Sequence, residues 1–217
     1  MMSFGQIKLK YEVLNTGRYE VLDELSDFKK DFYLAGGTCL ALQIGHRTSV
    51  DFDFFTSNSF SNNLVIEKVK TIFSSNSILV IQNEINTLTF LLDSKIKISF
   101  FKLSYPNILP LINTKYFRLA QIKEIGIMEI LKLMRATYKD YVDIFYILKN
   151  NNLPDIISLA KKKHPEFDST IYLKALITKD DIADSQIMFQ PGFEISREKV
   201  FDFIEKETIK YIYKYQL

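Results

Sequence analysis

Apolar residues along the chain switch between two spacings, and the switches mark out the expected elements. In residues 18–30, Val21, Leu22, Leu25 and Phe28 recur at helical spacing among Glu20, Asp23, Glu24, Asp27 and Lys29, which predicts an amphipathic helix. Residues 32–35 form a short apolar run of strand type that stops at Gly36-Gly37. Residues 39–44 then read as one or two helical turns ended by Gly45. From Val50 the period becomes two, with Val50, Phe52 and Phe54 alternating with Asp51 and Asp53, so a strand would place both carboxylates on one face. A second helix is expected over residues 61–74, and strands over 78–81, 87–92 and 96–101, with Asp93-Ser94-Lys95 as a hairpin connection. Residues 104–113, with Pro106 and Pro110, read as a loop leaving the sheet.

The back half is helical. Ile122, Ile125, Ile130, Leu133 and Met134 predict a long helix over residues 121–136. Further helices are expected at 154–163, 168–177, 180–186 and 196–215, the third starting at Asp180-Asp181 and the last N-capped by Ser196. Pro191 and Gly192 mark a loop at residues 188–193.

One stretch carries chemistry. Gly36-Gly37 lets the backbone turn sharply and approach a ligand closely, and Thr38 then sits at a helix N-terminus, where free N–H groups and the positive dipole end favour a polyphosphate. Asp51 and Asp53, held close together, repel unless a cation lies between them. Hard oxygen ligands of this kind suit Mg²⁺ or Mn²⁺, which commonly takes a carboxylate or two plus substrate phosphates. Taken singly, a Gly-Gly turn or an Asp-x-Asp strand is most often structural; their order and spacing together point to a site.

Composition narrows the field. With 217 residues, 47% hydrophobic and 25% charged, the chain is long enough for one large domain or a core with a helical extension, and disorder is not expected. A net charge of +2 does not by itself argue for nucleic acid. The single Cys39 fits a reducing compartment and is expected to pack, and His46 and His164 alone do not make a His/Cys zinc site. Neither a signal peptide nor an apolar segment near the roughly 20 residues of a membrane span is seen, so a soluble, cytoplasmic protein is expected. Lys161-Lys162-Lys163-His164 and the Lys/Tyr-rich C-terminus read first as a solvated helix end and core tyrosines, and second as a grip on RNA.

Gly36-Gly37-Thr38, Leu40-Ala41-Leu42, Gly45-His46-Arg47, Ser49 and the run from Asp51 to Phe55 together resemble the nucleotidyltransferase signature, and more narrowly the AbiEii/AbiGii toxin family. The resemblance resumes at Arg135 and Lys139-Asp140, with Asp143-Ile144 completing the second motif, and covers about residues 30–210. It implies an α+β fold, with a nucleotidyltransferase core of a small mixed sheet flanked by helices at 1–120 and a helical region packed on it at 121–217. It implies transfer of NMP from an NTP to an acceptor, an RNA such as tRNA, by the toxin of an AbiE-like toxin–antitoxin or phage-defence system with a separately encoded antitoxin. By the same resemblance Gly36, Gly37, Thr38, Arg47, Lys139 and Asp143 would bind the nucleotide. Asp51 and Asp53 would be catalytic and hold Mg²⁺ or Mn²⁺, with Asp140 and Lys132 as further catalytic residues.

The chain departs from the family pattern twice. Ser99 stands where a third carboxylate is expected, and Met128 where a phosphate-contacting Lys is expected, with Lys132 one helical turn later and Lys123 as a weaker substitute. A hydroxyl replaces an anionic ligand poorly, and one lost electrostatic element commonly costs about a hundredfold in rate, near 3 kcal/mol. A catalytically impaired relative that binds nucleotide or antitoxin is therefore the alternative.

Overall fold

Residues 7–179 and 182–215 are described by the computed structural model. In chain order they form α1 (Thr16–Glu20), α2 (Leu22–Leu25), β1 (Tyr33–Ala35), α3 (Gly36–Ile44), β2 (Asp51–Thr56), α4 (Asn62–Ile72), β3 (Ile78–Glu84), β4 (Thr87–Leu92), β5 (Ile96–Lys102), β6 (Ile112–Asn113), β7 (Arg118–Leu119), α5 (Ile122–Leu131), α6 (Tyr138–Asn150), α7 (Leu153–Lys163), α8 (Ser169–Ile177) and α9 (Arg197–Tyr215). The strands make one mixed seven-stranded sheet in the order β3-β4-β5-β2-β1-β7-β6, an α+β architecture with helices on its flanks and a helical C-terminal part.

The alternation of β2 sorts the two faces. Phe52 and Phe54 are buried on one side, where Phe54 stacks on Phe100 at 5.3 Å between centroids and Phe28 closes over Phe100 at 4.8 Å. Asp51 and Asp53 stand on the other side. β2 runs parallel to β5 and antiparallel to β1, so Asp53 lies opposite both Ser99 and Ala35, and Asp51 opposite Lys97. Asp93 and Ser94 take φ values of +50° and +55°, making the expected β4–β5 hairpin turn, which Asp93 braces by accepting from Ser77 N at 2.8 Å.

Four expectations need correction. The single helix expected over 18–30 is broken into α1, α2 and a 3₁₀ turn, Ser26–Phe28. Leu22, Leu25 and Phe28 are spaced by three, which suits three residues per turn better than 3.6, and all are buried. Arg18 is meanwhile drawn inward to the carbonyls of Val50 at 2.5 Å and Lys95 at 3.0 Å. The loop expected over 104–113 ends in a short strand, β6, which pairs with β7, and β7 pairs in parallel with β1 at Leu34 and so extends the sheet. The long helix at 121–136 ends as α5 at Leu131, followed by a 3₁₀ turn, Leu133–Arg135.

The fourth concerns residues 180–186. Asp180 and Asp181 lie outside the described residues, and residues 182–186 are not helical. Their backbone is used elsewhere: Tyr138 N donates to Ala183 O at 3.0 Å, Thr48 N to Met188 O at 2.8 Å and Gln190 N to His46 O at 3.1 Å. A carbonyl bonded across to another segment leaves the helical ladder unsupported, so the segment runs as a strap from α6 to the loop after α3.

Ser196 does cap α9, accepting from Lys199 N at 3.4 Å, and Cys39 is fully buried. Lys163 is buried in an ion pair with Glu124 instead of being solvated. Replacing Phe100 by Ala should cost about 3–5 kcal/mol, because the ring is fully buried among Phe28, Phe32, Phe54 and Phe90. Urea denaturation should show a lowered midpoint with an unchanged slope.

Candidate active site

The acidic face of the sheet becomes a site because α3 enters straight after β1. Gly36 adopts φ +70°, which lets the chain pass from strand to helix. Ala35 provides no side-chain cap, so the first N–H groups of α3 remain available to an anion. Gly37 is required for a second reason: a Cβ there would sit 2.5 Å from Arg47 Nη2.

That Arg47 is locked in place. Its Nε and Nη2 donate to both oxygens of Asp143 at 2.7 and 2.6 Å, while His46 Nε2 meets Asp143 Oδ1 at 2.8 Å. All three side chains are buried. Burial alone would raise the Asp143 carboxyl, but the charge and hydrogen bonds of Arg47, with those of His46, override it and hold the carboxyl well below its usual range. The bidentate pair joins the loop after α3 to α6. Arg47 also donates to Thr48 O at 3.1 Å, and Thr38 Oγ1 donates to Asp51 O beside Ser49 Oγ, so the loop leading into β2 is pinned to the start of α3.

Asp51 and Asp53 project together from β2. Burial and the Asp51 charge raise the Asp53 carboxyl, against Lys97 and Lys132, which lower it. Lys97 Nζ lies 2.9 Å from Asp51 Oδ2, so a cation already attends this pair. Two hard carboxylates drawing in positive charge fit Mg²⁺ or Mn²⁺ completed by phosphates and water, although no group of three or more acidic, His or Cys side chains is placed for a metal among the described residues. In the register of the sheet, the uncharged Ser99 occupies the position opposite Asp53.

The helices supply the opposite wall. Asp140 Oδ2 accepts from Thr137 N at 2.7 Å at the start of α6, and its Oδ1 is 2.9 Å from Lys132 Nζ. Lys132 also lies 2.7 Å from Glu129 Oε2. Burial would lower the Lys132 ammonium, but Glu129 and Asp140 outweigh it and raise it. Lys123 points elsewhere, to Asp155 at 2.5 Å.

These elements enclose two adjoining clefts. The smaller, of about 270 Å³, is lined by Gly37, Thr38, Arg47, Asp51, Asp53, Lys132, Lys139, Asp140 and Asp143. It therefore gathers every expected site residue except Gly36. Gly36 lines the larger cleft, of about 600 Å³, which shares Gly37, Asp53 and Lys132 with the first. Sequence reasoning missed Glu129 in the larger cleft, Lys97 on Asp51, and also Gln186, Ile187 and Met188, which the strap brings to the smaller cleft. For Glu129 a signal existed: it is an acid in an otherwise apolar helix, three residues before Lys132.

Residues 20–115 match the family described as Nucleotidyl transferase AbiEii toxin, Type IV TA system. Over 195 residues the chain is 34% identical to the uncharacterized protein aq_aa25 of Aquifex aeolicus (strain VF5), covering 84% of this chain and 88% of that one. The chain belongs to the AbiEii nucleotidyltransferase toxin family. Its fold is shared by MenT4, a nucleotidyltransferase toxin of Mycobacterium tuberculosis H37Rv, at a TM-score of 0.59 and 15% identity over 88% of this chain and 80% of that one. JHP933 from Helicobacter pylori is similar at a TM-score of 0.56 and 17% identity, with 96% of each chain covered. Among the described residues of this AbiEii-family chain, no helix is long and apolar enough to cross a membrane.

Asp143→Asn should cost about 3–5 kcal/mol, because it leaves Arg47 buried without its counter-charge. The sign of the pH dependence follows from the lowered folded value. Asp143 stabilises above its unfolded value near ~3.9, and that contribution is lost as pH falls below it. Denaturation midpoints measured from pH 7 down to pH ~2 should show wild type converging on the variant.

Proposed function

We propose that this AbiEii-family protein transfers NMP from an NTP to an RNA acceptor, such as a tRNA 3′ end, in a metal-dependent reaction. The observation that carries the reading is the convergence of the uncapped start of α3, the Asp51–Asp53 pair and the Lys132–Asp140 pair on one small polar cleft. In this reading the triphosphate lies against Gly36, Gly37 and the N–H groups of α3, with Lys139 and Lys132 facing its charge. Thr38, Arg47 and Asp143 hold the floor of the nucleotide site through the bonds described above. Asp140 fixes Lys132 and the start of α6. Asp51 and Asp53 would hold Mg²⁺ or Mn²⁺, which when bound neutralises phosphate charge in line displacement at the α-phosphorus.

The biological role that family membership supports is the toxin of an AbiE-like toxin–antitoxin or phage-defence system, acting in the cytoplasm and countered by a separately encoded antitoxin. A second reading, a relative that binds nucleotide but transfers nothing, is favoured by one observation, the uncharged Ser99 opposite Asp53.

Incubation of purified protein with each α-labelled NTP, Mg²⁺ or Mn²⁺ and total cellular RNA separates the two. Wild type should label RNA, and Asp51→Ala and Asp53→Ala should each reduce labelling by at least about a hundredfold. Metal-dependent NTP binding without any labelling would establish the second reading.

A further inference from the structure

An acceptor hydroxyl that attacks phosphorus must lose its proton, and the sheet offers it a poor set of acceptors. Ser99 cannot accept a proton at neutral pH, Asp51 is engaged by Lys97, and in the function proposed above Asp51 and Asp53 would be taken up by Mg²⁺ or Mn²⁺. The larger cleft, which shares Gly37, Asp53 and Lys132 with the nucleotide cleft, holds one other acid among its described lining residues, Glu129.

Two buried acids on α5 make the contrast. Glu124 is fully employed: it accepts from Ile108 N and Leu109 N at 3.2 Å each and pairs with buried Lys163. Glu129 is only 1% exposed, yet among the described residues its Oε1 has no hydrogen-bond partner. Its Oε2 is ion-paired with Lys132 Nζ at 2.7 Å. A buried carboxylate left with unused lone pairs is costly, and such groups usually have a reason to be there.

We propose that Glu129 is the catalytic base, taking the proton of the acceptor hydroxyl as its oxygen attacks the α-phosphorus. This rests on the nucleotidyltransferase reading above. A bond forms between the acceptor oxygen and the α-phosphorus, the bond from that phosphorus to the bridging oxygen breaks, the electron pair leaves with pyrophosphate, and the proton ends on Glu129. The nucleotide phosphates lie at the Gly36–Gly37 turn and extend into the smaller cleft, which leaves the rest of the larger cleft for the acceptor end. Phe101 and Tyr105 there offer stacking surfaces, and Lys102 and Arg135 offer charge to its backbone. Burial raises the Glu129 carboxyl to about 7; Lys132, by its charge and its hydrogen bond, opposes the rise, while Asp143 and Asp140 on α6 add to it. Arg47, from the loop after α3, also feels its charge. A base poised there is half-available at neutral pH, and its protonation removes a buried negative charge.

The test measures transfer of labelled NMP to RNA against pH for wild type and Glu129→Gln, with NTP–Mn²⁺ affinity read by calorimetry. Wild-type rate should rise with pH through about 7 and level off. Glu129→Gln should lose at least about a hundredfold in rate together with that rise, and keep its NTP–Mn²⁺ affinity within about twofold. Wild-type rate or an unchanged rise in the variant would overturn the proposal. So would a loss of NTP affinity matching that of Lys132→Met, which would make Glu129 only a support for Lys132. If the Gln variant fails to fold, Glu129→Asp should fold and keep the rise at a lower rate, and its loss of the rise would count against the role. A wild type that transfers nothing defeats the nucleotidyltransferase reading itself, whereas an active wild type with an equally active variant defeats Glu129 alone.

Discussion

The carboxylate of Asp143 holds the site together. It is buried on α6, yet it carries a bidentate Arg47 and a His46 from the loop between α3 and β2, so two segments distant in sequence share one charge. Desolvating a carboxylate is expensive, and only this geometry, with both oxygens satisfied by a guanidinium, offsets it. Gly37 must lack a Cβ for Arg47 to reach its partner, so the tight turn before α3 serves the ion pair as well as any ligand above it. The strap at residues 182–190 then closes over the same loop by bonding to Thr48 and His46.

Charge is arranged in local pairs around this anchor. Lys97 answers Asp51, Lys132 answers both Asp140 and Glu129, and Arg47 answers Asp143. Lys132 in particular is tied between two acids from different elements, which fixes a long flexible side chain at the junction of the two clefts. Its position at the end of α5 follows from the early end of that helix, since a continuous helix through residue 136 would carry the following residues off in another direction. Ser99 and Met128 have charged neighbours: Lys97 lies on Asp51 beside Ser99's strand partner Asp53, and Glu129 and Lys132 share the larger cleft with Met128.

The sequence by itself determined the parts governed by local rules. The period of two in β2 set Asp51 and Asp53 on one face, the Gly36-Gly37 break set the start of α3, and the resemblance joined these to Lys139-Asp140 and Asp143 nearly a hundred residues later. Those signals are legible because each depends on backbone geometry within a few residues. What only the tertiary structure decided depends on partners remote in sequence. Residues 182–186 form a strap because Tyr138 takes a carbonyl there and Thr48 and His46 bond just beyond it, and β7 is a strand because β1 had an open edge. Glu129 has Lys132 on one oxygen and nothing among the described residues on the other, while Glu124 is spent, because a loop and Lys163 lie against one and not the other. A helical pattern records which residues face inward, and burial of a charge is resolved only by what the rest of the fold brings to meet it.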